Sequence, residues 1–141
     1  MVEFALVLPL LLLVVFGMIE FGRAVNYWID SNHLANAAAR WAVVDNNPGE
    51  GGGQSLQSYI LSQANTAELR EGGTSAVPAA AEVCISFPDG TSEVGDPVEA
   101  TVTVDYNWMP FIDLDVATTE LTGSATMRLE AEPSEYAEEC S

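Results

Sequence analysis

Few residues in this chain have types and spacings that could do chemistry. Glu3 stands at the start of an apolar run, Phe4 to Ile19, and a second acid, Glu20, closes that run. A carboxylate beside so much hydrocarbon is costly and wants a partner. The other reading places Glu3 at a membrane surface, where it caps the positive N-terminus of a helix. Glu20 and Arg23, three residues apart on one helical face, read as a local ion pair, with a contact to another chain as the alternative. Cys84 and Cys140 are too far apart for a redox or zinc motif. In a head carried across a membrane they form one disulfide, closing a loop that stabilises the fold by about 4 kcal/mol on the chain-entropy model. Two buried free thiols are the alternative.

Catalytic sets are missing. The lone histidine, His33, falls on a helix and reads as a packed or surface residue. Asp113 and Asp115 invite a divalent cation, but a hard cation needs several convergent oxygens and this spacing alone does not supply them. Gly49 to Gly53 lacks the lysine and the preceding strand of a phosphate loop. No enzyme and no cofactor are expected. Phe16, Phe21, Tyr27, Trp28 and Trp41 read as packing groups, with an electron-conducting ladder as the rival reading. The charge excludes one class of partner. There are 21 acids against four bases, all arginine, and fourteen of the acids lie from Glu82 onward. Such a surface repels phosphate backbones, so nucleic acid is not a partner. Solvation or adaptation to salt explains the acidity.

The positioning elements follow from periodicity. No basic residue precedes the apolar run and no small-residue cleavage site follows it, unlike a secretory signal. Its 16 residues span about 24 Å as helix, slightly short of a hydrocarbon core, and flanking residues extend it. Pro9 predicts a kink or local unwinding within the first turns. From Val25 to Val44 the pattern becomes one-sided, with Ala35, Ala38, Ala39 and Ala42 forming a small-residue face and Trp28 and Ile29 above it. A helix from Met1 to Val44 would measure roughly 66 Å, longer than any bilayer, so its second half must pack on protein. Asp45-Asn46-Asn47-Pro48-Gly49 ends it.

A second helix is expected over 54–71, from Leu56, Ile60, Leu61, Ala64 and Leu69. The period then becomes two. Strands are expected over 82–88, 97–108 and 118–131, with a bend at Met109-Pro110-Phe111, giving a three-stranded antiparallel meander. Its oily face needs a cover, and the alanine face of the first helix supplies one. The fold class is therefore α+β, with an N-terminal helix in 1–47 (apolar 1–29, amphipathic 30–44) and an acidic head in 48–141. Cys84 is out of phase with Val83 and Ile85. Its bond to Cys140 should therefore pin the tail, Glu132 to Ser141, outside the sheet and opposite the helix.

Met1-Val2-Glu3-Phe4-Ala5-Leu6-Val7-Leu8-Pro9 followed by four leucines resembles the N-terminus of TadE-like proteins, pilin relatives from tight-adherence pilus systems. Ile19-Glu20-Phe21-Gly22-Arg23-Ala24, Ala38-Ala39-Arg40-Trp41-Ala42, Gly95-Asp96-Pro97-Val98 and Ser124 to Glu130 carry the same likeness. The resemblance implies a type IV pilin-like fold and a precursor cut by a prepilin peptidase. The subunit would be held in the cytoplasmic membrane and then drawn by an assembly platform into a homopolymeric surface filament that supports adhesion. A minor pseudopilin that primes or caps the filament is one alternative. A single-pass membrane protein with an extracytoplasmic binding head is another. Type IV-like pilins usually carry the acid fifth after the cut, whereas here it is Glu3, with no glycine-terminated basic leader before it. Either the chain has lost a leader and is mature from about this point, or Met1 is a start codon whose leader was missed. Glu3 would pair with a neighbour's free N-terminal amine as a register device more than a source of stability. Glu3, Phe4, Pro9, Glu20 and Arg23 are the residues expected to carry assembly.

Overall fold

A computed structural model describes residues 2–108 and 118–141, and within the first turn the side chains of residues 2, 3 and 5 fall outside the description. The bend at Met109-Pro110-Phe111 and the pair Asp113 and Asp115 lie outside the described residues. A single helix, α1 (Val2–Val43), opens the chain. At 42 residues it is about 63 Å long. The unwinding expected at Pro9 does not occur, because α1 passes through it uninterrupted. One missing N–H removes one hydrogen bond, and the bonded turns on either side carry the helix across.

The stop signals act as their chemistry requires. Asp45 takes the left-handed conformation, with φ 48°, which short polar side chains tolerate. The Asp45 and Asn46 amides donate to the carbonyls of Ala42 and Trp41, so α1 closes on hydrogen-bonded carbonyls rather than fraying. A short 3-10 turn, Glu50–Gly52, leads to α2 (Leu56–Ser62), whose cap Ser55 accepts a bond from the Ser58 amide. The second helix expected over 54–71 is in fact two, α2 and then α3 (Ala67–Glu71). The chain turns between them because the Asn65 backbone and side-chain nitrogens both donate to the Asp30 carboxylate, at 3.0 and 2.9 Å. Apolar spacing continued through the break: Leu56, Ile60, Ala64 and Leu69 are all buried.

The sheet has four strands, not three: β1 (Glu82–Ser86), β2 (Pro97–Asn107), β3 (Thr118–Arg128) and β4 (Glu139–Cys140), in the order β3-β2-β1-β4. All three neighbouring pairs are antiparallel. Val98, Ala100, Val102, Val104 and Tyr106 on β2 are buried beneath α1, whose Leu34, Ala35, Ala38, Ala39 and Ala42 are fully covered. Trp28 and Ile29, expected above this face, are instead exposed. α1 approaches Gly123 of β3 closely: an added Cβ there would lie 2.5 Å from the Asn32 nitrogen and from the Ser31 carbonyl carbon. Only a residue without a side chain lets the helix lie so near the strand.

Cys84 and Cys140 are bonded and directly opposed across β1 and β4, with Cα atoms 4.1 Å apart. The tail therefore joins the sheet edge instead of lying outside it, and before doing so it crosses the end of α1. Asp45 accepts from the Ser134 hydroxyl and amide and the Glu135 amide, Glu135 accepts from the Asn47 amide at 2.8 Å, and the Tyr136 hydroxyl donates to the Ala42 carbonyl at 2.9 Å. Burial raises the Asp45 pKa, but these bonds outweigh it and hold the carboxyl below its ordinary value. The clasp is accordingly fully formed above the unfolded-chain value of about 3.9, and weakens as pH falls through the lower folded value. In an acid titration the Ser134 and Glu135 amide resonances should move together with a midpoint below that figure, and Asp45→Asn should abolish the movement.

Candidate functional site

Among the described residues, α1 stands clear of the head until Glu20. Phe4, Leu6, Leu10, Leu13, Phe16 and Met18 are all exposed, and the helix is long and apolar enough to cross a bilayer. No periodic apolar stripe is needed here, because the helix is oily all round, as membrane or polymer burial requires. The Glu3 backbone begins this rod, while its side chain lies outside the description. Phe4 and Pro9 lie on the exposed rod.

Contact with the head begins at Glu20. Its carboxylate accepts the Tyr106 hydroxyl at 2.6 Å and lies 3.3 Å from the Arg23 guanidinium. The expected local ion pair is present, but Arg23 is 55% exposed, so the pair contributes at most about 1 kcal/mol. The tyrosine bond is the stronger tie. Its ring is wholly buried against Tyr27 and Trp108, with centroids 5.7 and 5.0 Å away. Burial first, and the adjoining Glu20 second, push the Tyr106 phenol above its ordinary pKa, so it stays a donor at all physiological pH. Tyr106 was not singled out as a partner, since 86 residues separate it from Glu20; its inward phase on β2 was the only available signal. Tyr106→Phe keeps the packing and deletes the bond. It should lower stability by about 2 kcal/mol, seen as a reduced melting temperature in micelles.

Asp30 is a further residue that sequence spacing missed. Only 4% exposed, it is satisfied by Asn65 and fixes the α2–α3 turn against α1. A carboxylate placed within one turn of Tyr27, Ser31 and Leu34 was the sign of a buried acid. Arg70 donates to the Ala64 carbonyl in the same turn.

Among the described residues, this arrangement ties the rod to the head through Glu20, Tyr106 and Asp30. His33 is exposed on the outer side of α1. Among the described residues, Glu82, Cys84 and Cys140 bring ligand-type atoms within 4.8 Å of one another, but the disulfide removes both thiolates that a metal would need.

No curated protein and no solved structure matches the chain. The family model described as TadE-like protein matches residues 1–40, which covers the bare rod and most of the alanine face that packs on the sheet. The resemblance read from the opening residues is thereby borne out over residues 1–40, where the chain is similar to TadE-like proteins.

Proposed function

We propose that this chain is a structural, non-enzymatic subunit that polymerises through α1 into a tight-adherence pilus filament supporting adhesion. The family match and the apolar helix fit a Tad pilus-associated protein. The observation that carries the reading is the exposure of the described residues of the apolar rod beside a head with its own core. The head has its own core, closed by the rear half of α1, so folding leaves Phe4 to Ile19 for lipid or for other rods. In the membrane stage the rod lies in the cytoplasmic bilayer, where a prepilin peptidase and an assembly platform act on it. Assembly then exchanges lipid contact for helix-on-helix packing, with copies repeating head to tail.

Imaging of filaments sheared from the cell surface, with N-terminal sequencing of their main band, tests this. The band should be this chain, and a surface filament that never contains it overturns the proposal. Glu3→Ala should leave the monomer folded and reduce filament yield by about tenfold, which corresponds to roughly 1.4 kcal/mol of lost pairing. Unchanged yield and subunit spacing would remove Glu3 from the mechanism.

A further inference from the structure

We propose that the head is seated on a zwitterionic lipid headgroup layer by an aromatic collar: Phe21 and Trp28 on α1, and Trp108 just past β2. This rests on the membrane stage of the proposed function and adds the surface that sets the depth of the chain.

The collar follows from how α1 and β2 run. Tyr106 reaches Glu20, whereas at the other end the Glu130 amide bonds the Val43 carbonyl at 2.9 Å. β3 therefore runs alongside α1 in the same direction, and β2 runs against both. Trp108, two residues beyond Tyr106, sits about 7 Å farther toward the bare rod, at the rod-facing end of the described part of the head. Its ring meets Tyr106 edge-on, and its indole N–H donates to the Thr119 hydroxyl at 2.9 Å. Phe21 and Trp28, seven residues apart, share one side of α1 and are 62% and 51% exposed.

Depth supports the same occupant. A hydrocarbon core of about 30 Å takes about 20 helical residues, and that count from Glu3 ends at Gly22. Phe21 then lies at the upper boundary. Trp28 stands about 10 Å higher on the axis, with its side chain leaning back toward the N-terminus. Large aromatics at the end of an apolar span favour the headgroup boundary, where a ring is half in oil and half in water. Glu20 and Arg23 lie at this level as well, where charge is tolerated. Fourteen of the 21 acids lie from Glu82 onward, which disfavours anionic lipid and selects zwitterionic headgroups.

The test uses the full chain in phosphatidylcholine vesicles whose acyl chains carry bromine at shallow or deep positions. Three single-tryptophan variants retain Trp28, Trp108 or Trp41, with phenylalanine at the other two positions. Shallow bromines should remove about half the emission of the Trp108 variant, as expected for a ring at the boundary, and a smaller but clear share from Trp28, which stands higher, with deep bromines less effective on both. The Trp41 variant, about 20 Å above Trp28, should stay bright. Phe16→Trp in a tryptophan-free chain reports insertion and should be quenched best by deep bromines. The unaltered chain gives a second reading, dimming partly and leaving the light of Trp41. Trp28 and Trp108 as bright as Trp41, with Phe16→Trp quenched, would overturn the collar and leave the membrane stage standing. An unquenched Phe16→Trp would overturn both.

Discussion

Gly123→Ala is expected to destabilise the head by about 3 kcal/mol, the upper end for overpacking a tight contact, with a melting temperature lower by roughly 15 °C. The cause is geometric. The new Cβ would sit 2.5 Å from the Asn32 nitrogen and the Ser31 carbonyl carbon, and both neighbours are backbone, which cannot rotate away as a side-chain tip could. Either α1 lifts from β3, exposing the buried Leu34 and Ala35, or β3 bends out of register. Thermal unfolding followed by circular dichroism in micelles measures the effect. Ser124→Ala, one residue along and on the other face, is the control and should change stability by less than about 0.5 kcal/mol. If Gly123→Ala melts with its parent, the close helix–strand contact does not exist in solution.

Removing the disulfide has the other large effect. Cys84→Ser with Cys140→Ser should cost about 4 kcal/mol, from the restored freedom of a long loop in the unfolded chain. The bridge spans a sequence separation of 56 and holds a strand of only two residues, β4, against β1. Such a strand cannot persist alone. The tail should come free first, losing the bonds from the Gln57 amide to the Ala137 and Glu139 carbonyls. Limited proteolysis should cut between Ser134 and Glu138 in the double variant well before the core opens. Denaturant unfolding gives the energy, and equal midpoints for parent and variant would show that the bridge stabilises nothing.

Legibility in the sequence followed the range of each signal. The end of α1 at Asp45, its alanine face and the phase of β2 rest on adjacent residues, and each could be read from a short window. The cysteine pair was readable from count and compartment, and the outward phase of Cys84 agrees with its half-buried position on β1. What escaped was decided by partners far away in the chain. The turn between α2 and α3 exists because Asp30 captures Asn65 across 35 residues, while local amphipathic spacing ran straight through it. β4 has no alternation to detect, and only its bond to β1 makes it a strand. At Pro9 the expected unwinding did not occur, because a local breaker was overruled by a long helix bonded on both sides. In the site itself, Glu20 and Arg23 were legible as neighbours, and Tyr106, which ties the rod to the head more firmly, was not.

Because α1 passes from bare rod to buried rib without a break at Glu20, the head has no swivel. The packed half of the helix is a lever arm of roughly 36 Å. Inclining the rod by about 20° from the bilayer normal would carry the far end of the arm sideways by about a third of its length. Any neighbour that straightens the buried stems must therefore also draw the outer ends of the molecules together, with no separate hinge motion required.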